Sequence, residues 1–203
     1  MITQSQFIRT LRGKSVKIFN YGDVFTLFGL ESENAVNSLL TRLKKKEIIS
    51  WLAKGKYAFL LASAPAGDFE IANFLYPPSY VSLESALSYY GIIDQFPYQI
   101  TSVTVNKARK INVQGKEYVY AQVRPEFFRD YNNEGGVLIA SKVKSVFDYL
   151  YLSYKGGRGR GNLKLLNFSR GAVTKAIVRR YIMRVAKNED KNFINFCKKE
   201  LVL

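Results

Sequence analysis

Over the first 65 residues, apolar positions recur at helical spacing and then give way to strand-like runs. Phe7, Ile8 and Leu11 share one helical face; Thr3 and Gln6 have the spacing of a capping box at its start, and Gly13 ends it. Val16 to Phe19 is a short strand candidate. Asn20 and Asp23 form a second cap-like pair before Val24, Phe25 and Phe28, and Gly29 sits where a helix end favours positive φ. Ser32 opens a third helix with Glu33 in its first turn, where a carboxylate suits the helix dipole. Gly29-Leu30-Glu31 between the two helices gives helix-turn-helix spacing. Two strands follow, Ile48 to Leu52 and Tyr57 to Leu61, joined by the tight turn Ala53-Lys54-Gly55-Lys56.

Downstream, Ser82 caps a helix with Leu83, Ala86, Leu87 and Tyr90 on one face and Gly91 at its end. Strands are expected at Ile100 to Val105, Lys110 to Val113, Tyr118 to Val123 and Val137 to Ala140, with Gln114-Gly115 as a hairpin turn. A helix from Lys142 to Tyr154 turns Val143, Val146, Phe147 and Leu150 inward. Lys155 to Gly161 is a Gly/Arg loop, too glycine-rich to hold a regular element. Residues 169–188 are helical in pattern, with Ile177, Val178, Tyr181, Ile182 and Val185 filling one arc. The expected class is α+β: a winged helix-turn-helix over 1–65, a small mixed α/β domain over 66–154, and a basic loop with C-terminal helices over 155–203.

Charge changes the picture. The 203 residues carry a net +15, divided as +6 over 1–65, −1 over 66–154 and +10 over 155–203. Two separated basic blocks point to a polyanionic partner, most often nucleic acid. With no histidine and a single cysteine, Cys197, the chain has no Ser-His-Asp or Cys-His catalysis, no histidine-ligated metal and no internal disulfide. Gly13-Lys14-Ser15 resembles the end of a P-loop, but Ile8 stands where its first glycine belongs. The near-apolar run from Tyr57 to Ala66 is about half of the ~20 residues a membrane span needs. A cytoplasmic protein without cofactor or metal is expected, with no membrane association.

The third helix carries the candidate binding chemistry. Val36, Leu39, Leu40 and Leu43 face inward; Asn34, Ser38, Thr41 and Lys45 face outward, with Asn37 and Arg42 on the flanks. Short amides and hydroxyls near the N-terminus let a helix enter a groove and meet base edges, while long cations near its end reach phosphates. Asn34, Asn37, Ser38 and Thr41 are therefore the expected base-facing residues, and Arg42, Lys45, Lys54 and Lys56 the expected phosphate contacts. An ordinary amphipathic helix has the same polar outside, and lysines on a hairpin also protect a strand edge. Arg158, Arg160, Lys175, Arg179, Arg180, Arg184 and Lys187 form an expected accessory basic surface, with a solvated face as the alternative. Duplex DNA is the expected partner, with a dimer on the DNA as one arrangement. A Mg²⁺-dependent nucleic-acid-processing enzyme built on carboxylates such as Glu117 beside Lys116, or an adaptor for RNA or an acidic protein, are the competing classes.

The run from Tyr76 to Gly91, Tyr-Pro-Pro-Ser-Tyr-Val-Ser-Leu-Glu-Ser-Ala-Leu-Ser-Tyr-Tyr-Gly, resembles a segment of AbiEi-type antitoxins, transcriptional regulators of phage-defence loci. Ile100 to Thr104 and Lys144 to Tyr151 resemble two further segments of that family, in the same order. The resemblance covers roughly residues 1–154. It implies a non-enzymatic repressor that binds inverted repeats at its own promoter through an N-terminal winged helix. It also implies that the remainder counteracts a neighbouring nucleotidyltransferase-like toxin, without requiring a stable complex.

Overall fold

The structure, a computed structural model, describes residues 2–156, 166, 173–186 and 191–201. It is of mixed α and β composition, and the chain divides into two compact units, Met1–Leu75 and Tyr76–Leu203.

The first unit begins with α1 (Gln4–Gly13), β1 (Ile18–Asn20) and α2 (Tyr21–Phe28). Both expected capping pairs form capping boxes: the Thr3 hydroxyl accepts from the Gln6 N–H, and the Asn20 side-chain oxygen from that of Asp23. Each capping residue satisfies a donor that the first helical turn leaves unpaired. Gly29 ends α2 at φ +58°, a conformation an added Cβ would strain. α3 (Glu33–Lys45) follows; Ser32 holds its N-cap position but makes no side-chain capping bond. β2 (Ile49–Ala53) and β3 (Lys56–Phe59) form the hairpin, giving an antiparallel sheet in the order β1-β3-β2. The core joins Phe7 and Leu11 of α1 to Val24, to the inner face of α3 (Val36, Leu39, Leu40, Leu43), and to Ile49 and Phe59 of the sheet.

α4 (Asp68–Leu75) closes this unit. The unit thus continues past the small-residue stretch at 64–67. Glu70 explains the attachment of α4: its carboxylate accepts from the Lys17 ammonium at 2.9 and 3.1 Å and from the Gly67 N–H at 2.7 Å.

The second unit is a six-stranded sheet, ordered β6-β7-β5-β4-β9-β8, with helices packed on it. Its elements are β4 (Ser79–Val81), α5 (Leu83–Tyr89), β5 (Ile100–Thr104), β6 (Arg109–Val113), β7 (Lys116–Gln122), β8 (Tyr131–Glu134), β9 (Val137–Ala140), α6 (Lys142–Tyr154), α7 (Lys175–Val185) and α8 (Lys191–Glu200). The β6–β7 hairpin turns at Gln114-Gly115, as expected, with φ +50° and +85°. β5 pairs parallel with β7, and β4 with β9; the other pairings are antiparallel.

Ser82 occupies the N-cap position of α5 without capping it. Its hydroxyl instead donates to Asp148 at 2.8 Å, and the Thr101 hydroxyl of β5 accepts from the Ser85 N–H. α6 is buried along nearly its whole circumference, from Lys144 to Ser153, because α5, α7, α8 and β9 surround it. Phe147 and Tyr151 meet Phe193 of α8 edge-on, and Cys197, the one cysteine, is buried on the same helix. Ile177, expected on the inner arc of α7, is instead 42 % exposed; Val178, Tyr181, Ile182 and Val185 make the contact.

Candidate nucleic-acid interface

The outer face of α3 is built by exclusion. Burying four aliphatic side chains on one arc leaves Asn34, Asn37, Ser38 and Thr41 exposed on the other, as a ladder of short polar groups. Lys45 is exposed at the C-terminal end, where cations also suit the helix dipole. Lys44, not among the expected contacts, is exposed beside it and widens the basic end. The Lys44-Lys45-Lys46 run was the signal for it. Lys46 is drawn aside, donating to the Gln4 side-chain oxygen at 3.0 Å.

Arg42 and Lys56 stand differently from the other expected phosphate contacts. Arg42 is half-buried, and its Nη2 donates to the Ile2 carbonyl at 2.8 Å, tying α3 to the start of the chain. The Lys56 ammonium donates to the carbonyls of Phe74 and Leu75, which α4 leaves open at its end, and lies 4.9 Å from the Phe74 ring centroid. Burial holds the Lys56 pKa below its ordinary value. These two cations serve packing within the first unit. Lys54, in the hairpin turn, is exposed. The turn itself is fixed: the Gly55 carbonyl accepts from the Tyr21 N–H at 2.7 Å, holding the hairpin against the start of α2. Five exposed groups of the expected eight therefore share α3, Lys54 stands on the hairpin, and two are turned inward.

In the second unit, Lys175, Arg179, Arg180 and Arg184 are exposed along α7. The Arg184 guanidinium lies over the Tyr181 ring at 5.2 Å and 4.0 Å from Asp130, so part of its charge is compensated. Arg158, Arg160 and Lys187 lie outside the described residues. Glu117, considered as a metal ligand, is paired with Lys110 at 2.8 Å. Among the described residues no three Asp, Glu or Cys side chains gather as a metal site, and no helix is long and apolar enough to cross a membrane. Comparison with models of known protein families and with curated proteins finds no match to this chain.

Proposed function

We propose that this chain is a DNA-binding transcriptional repressor of the AbiEi antitoxin type, reading inverted repeats at its own promoter with a winged helix-turn-helix. The observation that carries the reading is the exposed stripe Asn34, Asn37, Ser38 and Thr41 on α3, followed by Lys44 and Lys45. Support comes from the order of helices and hairpin, and from the two-residue basic turn that holds Lys54 beside α2. In this reading α3 lies in the major groove. Asn34 and Asn37 bond adenine edges, Ser38 and Thr41 meet neighbouring bases, and Lys45 and Lys54 take phosphates. The second unit then serves the antitoxin role against a neighbouring nucleotidyltransferase-like toxin, in the cytoplasm and without a cofactor.

The test uses a duplex from upstream of the chain's own coding region, against random duplex of equal length. Asn34→Ala and Asn37→Ala should each lose about 1–3 kcal/mol of discrimination, the worth of a bidentate contact, while keeping non-specific affinity. A wild-type ratio of specific to random binding in both variants would remove α3 from the interface.

The cations make a separate prediction. Lys54→Ala should flatten the plot of log K against log salt by about 0.9, one phosphate contact. Lys56→Ala should leave that slope alone, because its ammonium is already held by two carbonyls. A slope change for Lys56→Ala and none for Lys54→Ala would reverse the assignment.

A further inference from the structure

β8 ends the six-stranded sheet of the second unit, and among the described residues nothing pairs with its outer side. Every residue from Arg129 to Gly136 is exposed. An antiparallel ladder bonds alternate residues. The two-residue turn Gly135-Gly136 makes Glu134 and Val137 a bonded pair, and the Asp130 carbonyl accepts from the Ser141 N–H at 3.1 Å. Asp130, Asn132 and Glu134 therefore turn their backbone groups toward β9. Tyr131 and Asn133 turn their N–H and C=O groups outward, to solvent.

The strand is fixed by its own side chains. The Tyr131 ring stacks on Tyr80 at 4.8 Å and meets Phe128 at 5.4 Å. The Asn133 side-chain oxygen accepts from the Gly136 N–H at 2.8 Å. The Glu134 carboxylate accepts from the hydroxyls of Tyr89 at 2.9 Å and Tyr90 at 3.1 Å. A strand already ordered loses little entropy on pairing. β8 also lacks the lysine or proline that commonly guards an edge, whereas β6, at the other end of the sheet, carries Arg109 and Lys110. Asn132 alone on the strand has no side-chain partner among the described residues. Its amide is donor and acceptor at once, so it is complementary to its own copy.

We propose that β8 pairs antiparallel with β8 of a second copy of this chain, merging two sheets into one across a two-fold axis. The axis passes at Asn132. Tyr131 and Asn133 of the second copy then exchange both backbone bonds, and the symmetric pair does the same on the other side of the axis. Asn132 meets Asn132 of the second copy in a non-bonded pair, side chain to side chain. Glu134 stands opposite Asp130 of the second copy. Both carboxylates are already compensated, Glu134 by the two tyrosine hydroxyls and Asp130 by the Tyr181 hydroxyl at 2.7 Å and Arg129 at 3.4 Å. Charge agrees with this placement. Residues 66–154 carry −1 between blocks of +6 and +10, so two copies of a +15 chain approach here with little repulsion. An extended segment of an unrelated protein meets the same backbone groups, but only a second copy sets an identical amide against Asn132. Four residues a side make a small interface, so the dimer is a weak one. The pairing needs no DNA, and its test and the operator test fail separately.

Sedimentation equilibrium of the full chain without DNA, up to about 1 mM, should show monomer and dimer in exchange. Asn132 is exposed, so substitutions there leave folding alone. Asn132→Lys and Asn132→Glu should each weaken the dimer by roughly fivefold, because like charges then stand directly opposite. An equal mixture of the two variants should dimerise at least as well as the parent chain, since opposite charges now meet across the axis. Under mild oxidation Asn132→Cys should cross-link two copies, because non-bonded partners stand ~4.5 Å apart at Cα, within disulfide reach. Asn112→Cys, on the guarded strand β6, should not, and Cys197 is buried and contributes no cross-link. The proposal is overturned if the chain stays monomeric at about 1 mM, or if Asn132→Cys cross-links no faster than Asn112→Cys. It also falls if the charged variants and their mixture dimerise as the parent does, which would place any dimer on another surface.

Discussion

Asp148→Ala should destabilise the second unit by about 3–5 kcal/mol, a large part of the stability of an ordinary domain. Lys144 and Asp148 stand one helical turn apart on α6, and both side chains are fully buried. The ammonium bonds Oδ1; Oδ2 accepts from the Tyr80 hydroxyl at 3.0 Å and from Ser82 at 2.8 Å. The lysine head also lies 4.9 Å from the Phe147 ring centroid and 5.7 Å from that of Tyr80. Deleting the carboxylate therefore leaves one buried cation and two hydroxyls without their acceptor. Much of the loss comes from the stranded charge, so Lys144→Met in the same background should restore a substantial part of it. Urea denaturation followed by circular dichroism measures both steps. A cost under about 1 kcal/mol for Asp148→Ala would mean that water reaches Lys144 and that the pair behaves as a surface one.

Phe7→Ala should cost the first unit a comparable 3–5 kcal/mol, the usual range for removing a buried aromatic ring. Phe7 is wholly buried. Its ring stacks on Phe28 at 5.0 Å and meets Phe19 and Phe59 edge-on at 5.9 and 6.4 Å. It thus fastens α1 to α2 and to two strands at one point. Phe7→Leu should lose clearly less, since it keeps most of the volume. Denaturation midpoints of the two variants against the parent chain decide the matter; equal midpoints for Phe7→Ala and the parent would contradict the packing.

What was legible in the sequence follows from the range of the interactions involved. The capping pairs Thr3/Gln6 and Asn20/Asp23 close within four residues, so their residue types announce them. The same holds for Gly29 and for the Gln114-Gly115 turn, where backbone conformation selects the residue. The α3 stripe was legible because one strongly periodic helix sorts its own faces. Ser82 failed as a cap because a distant carboxylate, Asp148, takes its hydroxyl. The pair Lys144/Asp148 reads as a solvated i,i+4 bridge; only the helices packed around α6 bury it. β4 is three residues long and β8 carries Asn132, Asn133 and Glu134, so neither has the apolar alternation that marks a strand. Arg42 and Lys56 look like free cations until the carbonyls of Ile2, Phe74 and Leu75 are brought to them. A cavity of about 410 Å³ in the second unit was not legible at all, since its walls come from five separate elements, α5, β5, β6, β7 and α6.

The placement of two singular residues has a practical consequence. The chain has one tryptophan and one cysteine. Trp51 lies on β2 in the first unit, half exposed; Cys197 is buried on α8 in the second. Indole emission therefore reports on one unit and thiol reactivity on the other, with no label or reporter substitution introduced. Red-shifted emission at an unchanged alkylation rate marks loosening of the first unit alone, and accelerated alkylation under constant emission marks opening of the second. Phe7→Ala and Asp148→Ala should fall on opposite sides of that divide, so one full-length sample carries the means to tell which half of the molecule has given way.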